Sequence, residues 1–231
     1  MNIRSLFSDF FLLFFPDFCE ACNSVLLKGE NVICTKCLHD LPRTRYHNFS
    51  DNKISLLFWG RVPFAKATAF MFYRKDSRYA ELFHKLKYNS KKNIGVLLGE
   101  MFAVELQDSQ FLADIDILLP VPLHKKRLKI RGYNQSEVIA LGMQKKCTLS
   151  IDVTSIKRVV YNLTQTKKNK ESRFTNVSNI FSVVDVASLA NKHVLVVDDI
   201  VTTGATLESF IHEIEKIQGI KISIATVGIA E

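Results

Sequence analysis

The segment of residues 193–206, HVLVVDDIVTTGAT, constrains the fold of this chain more than any other. A short apolar run leads to two adjacent aspartates, Asp198 and Asp199, which precede a loop of small and hydroxylated residues and then a helical spacing of apolar side chains. This pattern predicts a buried strand, a loop and a helix, the repeating unit of an α/β sheet. Because burying charge is costly, two carboxylates at the end of such a strand indicate a binding site.

Apolar strands, loops and helices alternate along most of the chain. We predict strands over 66–73, 114–122, 151–160, 180–184, 193–199 and 221–230, and helices over 79–87, 94–106, 136–146 and 207–218. Residues 123–135 are interpreted as a basic loop. The alternation indicates an α/β domain with a mostly parallel sheet. Ligands of such sheets bind outside the carboxyl ends of the strands, where the aspartates are expected to lie.

The loop after the aspartates has the chemistry of a phosphate site. Gly204 and Ala205 let backbone N–H groups approach a ligand closely, and the next helix points the positive end of its dipole at the same space. Hydroxyl donors come from Thr202, Thr203 and Thr206. Carboxylates accept hydrogen bonds from vicinal hydroxyls and help to hold hydrated Mg2+, so the segment suits a ribose 5-phosphate. The chain has no Gly-Lys pair for a Walker A loop and no G-x-G for a dinucleotide fold.

The cysteines near the start of the chain predict a metal site. Two CxxC pairs are separated by eleven residues and consist of Cys19, Cys22, Cys34 and Cys37. Two such turns complete a tetrahedral thiolate shell, which suits a structural zinc ion. Disulfides and a redox CxxC are the alternatives, and His39 or His47 could substitute as ligands. Cys147 stands alone and is expected to be an ordinary buried residue.

The charge balance is basic, with 31 Lys and Arg residues against 23 Asp and Glu residues. Such a balance favours phosphate, nucleic-acid or anionic membrane partners, with a solvated basic surface as the alternative. The apolar run of residues 10–15 is far shorter than the roughly 20 residues that cross a bilayer. Asp9 and Asp17 flank it and no small-residue cleavage site follows. We interpret it as a short docked helix rather than a membrane-surface anchor, and expect a cytoplasmic protein.

The chain resembles a known family along most of its length. The segment VLVVDDIVTTGATL resembles the phosphoribosyl-pyrophosphate (PRPP) motif of type I phosphoribosyltransferases. The four-cysteine start and the segments HKLKY (84–88), PVPLHKKRLKIRGYNQ (120–135) and TQTKKNKESRFTNVSNIF (164–181) resemble the ComF family of competence-associated proteins. The resemblance implies an α/β fold, a type I phosphoribosyltransferase-like, mostly parallel sheet with helices on both faces. We expect residues 1–50 to form an N-terminal helix and a zinc-ribbon-like four-cysteine module, and residues 51–231 the phosphoribosyltransferase-like domain.

The same resemblance assigns site residues. The acid pair of the family contacts the ribose hydroxyls, which implies Asp198 and Asp199 here. Its loop holds the 5-phosphate, which implies Thr202, Thr203, Gly204, Ala205 and Thr206. The long polar segment matches the family at Gln165, Thr166, Arg173, Asn176 and Phe181. It departs at Asn162, where threonine is common, and at Lys167 and Lys168, where Gly-Leu is more usual.

Two basic segments are predicted to meet the pyrophosphate group, whose negative charge favours cations. The loop after the strand at 114–122 contributes Lys125, Lys126, Arg127, Arg131, Gly132, Tyr133, Asn134 and Gln135. The segment 161–179 is predicted to be a lid that covers the leaving group with Gln165, Lys167, Lys168 and Arg173. A basic surface loop and a plain surface excursion are the respective alternatives.

Three functions fit these observations. The first is a phosphoribosyltransferase that binds PRPP with Mg2+ and releases pyrophosphate to an unknown acceptor, with Asp198, Asp199 and Arg131 as catalytic residues. The second is a PRPP-binding accessory protein in DNA uptake that does not turn over. The third is a nucleic-acid-binding module that uses the zinc element and the basic loops, with single-stranded DNA as one candidate ligand. Aromatic residues do not interleave with the basic runs in the sequence, which argues against this function as the main one.

Overall fold

The computed structural model describes residues 15–160 and 180–231. Its helices in chain order are α1 (Thr35–His39), α2 (Lys53–Phe58), α3 (Ala80–Tyr88), α4 (Lys92–Asp108), α5 (Lys125–Arg131), α6 (Gln135–Gln144) and α7 (Ala205–Ile214), with a 3-10 helix at Tyr46–Asn48. Its strands are β1 (Lys66–Tyr73), β2 (Ile117–Pro120), β3 (Ser150–Ile151), β4 (Ile156–Arg158), β5 (Phe181–Val183), β6 (His193–Val201) and β7 (Lys221–Ala230). The predicted lid at 161–179 and the apolar run up to residue 14 lie outside the described residues.

A parallel five-stranded sheet forms the centre of the fold, in the order β1-β7-β6-β2-β3. Residues 194–197 of β6 are completely buried, as a strand flanked by neighbours on both sides requires. The sequence predicts that this strand ends at Asp199. In the structure it continues to Val201, because Ile200 and Val201 still pair with β7. The acid pair therefore lies within β6, with Val201 as the last residue of the strand.

Helices cover both faces of the sheet, which confirms the predicted fold class. On one face α3, α4 and α6 pack against it through residues such as Phe83, Phe102 and Ile139. On the other face α2 and α7 bury Phe58 and Phe210. The sheet therefore carries two separate apolar layers, and the carboxyl end of β6 opens between helices of both.

Two further sequence predictions of local structure are wrong. Residues 125–131 form helix α5 instead of a loop, because Lys, Arg and Leu are good helix formers and the His124 ring accepts a hydrogen bond from the backbone N–H of Lys126 at 3.2 Å. The strand predicted over 151–160 is split between β3 of the main sheet and β4, which pairs with β5 in a separate antiparallel sheet. Asp152 causes the break, since its side chain accepts the backbone N–H groups of Thr154 and Ser155 in a turn.

The segment that joins the cysteine region to the sheet is not a free linker. Thr44 donates its backbone N–H to the carbonyl of Phe70 at 3.0 Å, and Phe72 donates to the carbonyl of Pro42 at 2.8 Å. Residues 42–44 thus run beside β1 and protect part of this edge strand. The division of the chain at residue 50 stays a prediction. Within 15–160 and 180–231, no helix combines the length and the apolar character that a membrane span needs.

Candidate functional site

The two aspartates of β6 are each held by a side chain from a different helix. Asp198 accepts a hydrogen bond from the Ser136 hydroxyl at 2.8 Å, and Ser136 lies in the first turn of α6. Asp199 forms an ion pair with Lys87, whose Nζ lies 2.9 Å from Oδ2, and Lys87 lies in the last turn of α3. The backbone N–H of Asp199 also donates to the Asp198 carboxylate at 2.9 Å. The pair is therefore fixed in orientation from two helices on the same face of the sheet.

The environment of the pair makes one carboxylate a weak acid. Burial is the main cause that raises the pKa of Asp198, and the neighbouring charge of Asp199 raises it further. The hydrogen bond from Ser136 and the charge of Lys87 act in the opposite direction but are smaller. Without a ligand, Asp198 thus retains its proton to a higher pH than an ordinary aspartic acid.

This raised pKa predicts how stability depends on pH. An unfolded aspartate loses its proton near pH 4, so between that pH and the higher pKa of the folded state the folded protein holds more protons. The contribution of Asp198 to the free energy of unfolding therefore decreases as pH rises through this window. We expect the stability of Asp198→Asn, which cannot titrate, to increase relative to that of the wild type by about 1 to 4 kcal/mol as pH rises from 4 to 8. Urea unfolding of both proteins at several pH values measures the difference, and parallel pH profiles would contradict it.

The predicted phosphate loop forms a small cavity that opens beside Asp198. Its volume is about 70 Å3, and it is lined by Asp198 and by residues 200–207. Thr202, Thr203, Gly204, Ala205 and Thr206 thus line one cavity at the N-terminus of the ten-residue helix α7. This arrangement brings backbone N–H groups, hydroxyls and the helix dipole to one concave space.

Gly204 has to be a glycine for two reasons. Its φ of 79° lies in the left-handed region, and a Cβ at this position would lie 2.9 Å from Cε1 of the buried Phe58 ring. Helix α2 therefore supports the phosphate loop directly from behind.

Arg61 supports the same loop and was not expected from the sequence. Its guanidinium donates to the carbonyl of Thr203 at 3.1 Å and also pairs with Glu208 in the first turn of α7. Because Arg61 follows α2 and its partners lie far away in the sequence, no local pattern could have indicated the contact.

The predicted pyrophosphate residues divide into exposed cations and structural positions. Lys125 and Lys126 are exposed on α5, whereas Tyr133 and Gln135 are buried. Tyr133 donates its hydroxyl to the carbonyl of Leu86. We interpret these buried residues as the support for the turn between α5 and α6 rather than as ligand contacts.

Other members of the predicted set fix this turn and position Arg131, the last residue of α5. Asn134 accepts the backbone N–H of Ser136 as the N-cap of α6, and Gly132 ends α5 in the left-handed conformation. Arg131 donates to Gln135 at 2.6 Å, and its guanidinium carbon lies 5.6 Å from the centre of the Tyr88 ring. Arg131 therefore lies beside the residue that follows Lys87.

Two further arginines belong to the electrostatic surroundings of the acid pair. Burial lowers the pKa of Arg158 on β4, the charge of Arg127 lowers it further, and the charge of Asp198 raises it. Arg158 also lies over the Phe181 ring, 5.3 Å from its centre. Arg127 of α5 and Asp198 are thus both close enough to influence the pKa of Arg158, which was not expected from the sequence.

The four N-terminal cysteines converge as predicted. Their sulfur atoms all lie within 4.8 Å of one another, and those of Cys22 and Cys34 are 3.7 Å apart. Tetrahedral zinc with bonds of about 2.3 Å needs sulfur atoms about 3.8 Å apart, so the thiols fit such an ion. All five cysteines of the chain are free thiols. Neither His39, which pairs with Asp40, nor His47, which lies near Glu105, joins the group.

Comparison with known proteins identifies the domain that contains the acid pair and its loop. The sequence profile of the phosphoribosyl transferase domain matches residues 128–228, from α5 to β7. The chain contains a phosphoribosyl transferase domain. The match includes both aspartates and the whole loop of residues 202–206, and the parallel sheet with helices on both faces is consistent with the type I form of this domain.

Similar proteins have names that refer to DNA utilization or to competence. The chain is 31% identical over 130 residues to the DNA utilization protein YhgH of Salmonella typhi, a region that covers 54% of this chain and 56% of the relative. It is 27% identical over 130 residues to Competence protein F of Haemophilus influenzae, covering 54% and 57%. The DNA utilization protein YhgH of Escherichia coli O157:H7 is 27% identical over 129 residues, covering 54% and 56%. The matched region thus spans about half of each relative, and the predicted family resemblance is confirmed.

Proposed function

We propose that the phosphoribosyl transferase domain binds PRPP with Mg2+ and transfers the phosphoribosyl group to an acceptor, with release of pyrophosphate. The single observation that carries this proposal is the cavity that Asp198 shares with residues 200–207. A diol-binding carboxylate and a phosphate-binding loop are adjacent there. A sugar phosphate satisfies both, whereas a simple phosphate would bring no diol to the carboxylate of Asp198.

Each group of residues has a defined role in the proposed reaction. The loop of residues 202–206 receives the 5-phosphate through backbone N–H groups and hydroxyls. The carboxylates of Asp198 and Asp199 accept hydrogen bonds from the ribose hydroxyls and would hold Mg2+ with the substrate. Magnesium, when bound, supplies positive charge to the phosphate oxygens of the leaving group. Because a hydrogen-bonded diol favours the ionised carboxylate, binding is expected to release the proton that Asp198 retains in the free protein.

The bond changes in the reaction balance without a redox partner. The bond between the anomeric carbon and the pyrophosphate oxygen breaks, and its electron pair leaves with pyrophosphate. A lone pair of the acceptor forms the new bond to the anomeric carbon, and the acceptor loses its proton to water. Arg127, Arg131 and Arg158 are the described cations that we assign to the leaving group, together with the predicted lid residues. The residues act by orientation and charge.

An accessory role in DNA uptake is the second candidate. Similar proteins carry the names DNA utilization protein YhgH and Competence protein F. Tyr88 is 64% exposed, lies beside Arg131 and is 5.0 Å from the His84 ring, measured between ring centres. An exposed aromatic ring with a guanidinium is a suitable contact for single-stranded nucleic acid, although the sequence alone had argued against such a platform.

Zinc in the cysteine module is part of the same proposal. Four thiolates would close the coordination shell, so the ion would be structural and would leave no open position for a substrate.

Turnover separates the two candidates. We would titrate PRPP with Mg2+ into the protein and measure heat and pyrophosphate release together, with a panel of candidate acceptors and with single-stranded oligonucleotides. Release that accelerates with one acceptor supports the enzyme. Binding of PRPP without any acceptor-dependent release supports the accessory role. Absence of PRPP binding would contradict both.

A further inference from the structure

Lys87 forms an ion pair with Asp199, one of the two carboxylates that the proposed substrate would need. Its amino group is 2.9 Å from Asp199, and its side chain is only 24% exposed while that of Asp199 is 13% exposed. A half-buried pair of this kind is stronger than a surface ion pair, because water screens it less. Any ligand that needs the Asp199 carboxylate has to share it with Lys87 or displace it.

The position of Lys87 is determined by packing and not by the ion pair alone. Helix α3 buries Leu82 and Leu86 in the core. The cysteine module holds the helix at both ends: Tyr79 donates its hydroxyl to the carbonyl of Cys37 at 3.1 Å, and Lys85 donates to the carbonyl of Glu20 at 2.9 Å. The lysine is therefore presented to the acid pair by a rigid helix.

Lys87 approaches the acid pair from the side opposite to the phosphate loop. The loop is backed by α2, whose Phe58 contacts Gly204 on one face of the sheet. Helix α3 lies on the other face, where Arg131 stacks on Tyr88, the residue that follows Lys87. Lys87 is thus near Arg131 and away from the groups that would receive the 5-phosphate.

We propose that Lys87 contacts the pyrophosphate group of PRPP, and that it exchanges Asp199 for this group when the ribose hydroxyls take over the carboxylate. This inference rests on the proposed function, since it assigns one more residue to the same substrate. A lysine ammonium has three donors and no acceptor. Its N–H donors can therefore be redirected from the Asp199 carboxylate to a phosphate oxygen.

A comparison of two ligands tests the exchange. PRPP carries the pyrophosphate group, whereas ribose 5-phosphate shares only the sugar and the 5-phosphate. We expect Lys87→Met to weaken PRPP binding by about tenfold or more, the loss of a charge-assisted hydrogen bond. We expect it to leave the affinity for ribose 5-phosphate unchanged or higher. Lys87→Arg should restore most of the PRPP affinity.

The matched control is Lys145→Met. Lys145, the residue after α6, also pairs with a carboxylate, that of Glu100 in α4 at 3.0 Å, but its own side chain is 59% exposed. This variant should bind both ligands like the wild type.

Calorimetric titration with Mg2+ present measures all affinities, and thermal unfolding verifies that each variant is folded. Should Lys87→Met fail to fold, Lys87→Gln provides the same comparison. Equal weakening of both ligands, or unchanged PRPP affinity in a variant whose wild type binds PRPP, would overturn the role of Lys87 alone. A wild type that binds neither ligand would overturn the proposed function and this inference together.

Discussion

Replacing Gly142 by alanine is expected to destabilise the protein by about 3 kcal/mol or more, because the added methyl group has no space. Gly142 of α6 lies where this helix crosses α4, and a Cβ there would lie 2.2 Å from the carbonyl oxygen of Val96. The crossing is reciprocal, since a Cβ at Gly99 of α4 would lie 2.1 Å from the carbonyl oxygen of Ile139. Backbone atoms cannot move aside as a flexible side chain can, so the two helices would have to separate.

Separation of these helices would also disturb the acid pair. Helix α6 carries Ser136 to Asp198, so a shift of the helix would remove the hydrogen bond that orients this carboxylate. Gly95→Ala is the matched control in the same pair of helices. Its Cβ would lie 3.0 Å from side-chain atoms of Leu86 and Val138, which can adjust. Denaturant midpoints measure both variants, and a Gly142→Ala protein as stable as Gly95→Ala would show that the crossing is looser than described.

Loss of metal from the cysteine module is the second change that we expect to lower the stability of the protein strongly. Cys37 is completely buried and belongs to the same apolar core as Leu82 and Phe83 of α3. The module is therefore part of the main packing and not a separate appendage. We expect Cys37→Ala, or removal of zinc by a chelator, to lower the free energy of unfolding by about 3 kcal/mol or more, since structural zinc supplies folding energy directly.

Metal content and thermal unfolding measure this effect. The purified wild type should contain one zinc ion per chain, and Cys37→Ala should contain less while melting at a lower temperature. Cys147→Ala is the control, because Cys147 is buried but lies outside the group of four thiols. It should retain one zinc ion per chain, and its stability should decrease only by the cost of a small cavity. Equal zinc in the Cys37 and Cys147 variants would exclude the proposed ligand set.

The sequence predicted the parts of the fold that local patterns determine. The apolar run before Asp198 identified the central strand, and the spacing of Leu82, Phe83 and Leu86 identified α3. The two CxxC pairs predicted a convergence that depends only on two tight turns. The strand and loop of residues 193–206 likewise predicted that the acid pair and the phosphate-binding residues lie together, because they are neighbours in the chain.

The sequence could not predict contacts that tertiary packing creates. Lys87 and Ser136 meet the acid pair only because α3 and α6 pack on the same face of the sheet. Lys87 lies within the quoted HKLKY segment, and Ser136 directly follows the predicted residue Gln135, so a weak signal was present for both. No pattern in the sequence indicates the hydrogen bond between Arg61 and the carbonyl of Thr203. The dense charge of residues 125–131 favours an exposed loop, whereas their helix propensity favours the helix that forms.

The most direct test of the proposed site is a calorimetric titration of PRPP with Mg2+ into the wild type and into the double variant Asp198→Asn with Asp199→Asn. These changes preserve side-chain size and remove both carboxylates, while Asp108→Asn, on the exposed end of α4, is the control. We expect the wild type and the control to bind PRPP with similar affinity, and the double variant to lose about a hundredfold or more in affinity, as two charge-assisted hydrogen bonds disappear. Equal binding by the double variant, or no binding by the wild type, would show that the acid pair of β6 is not a site for this sugar phosphate.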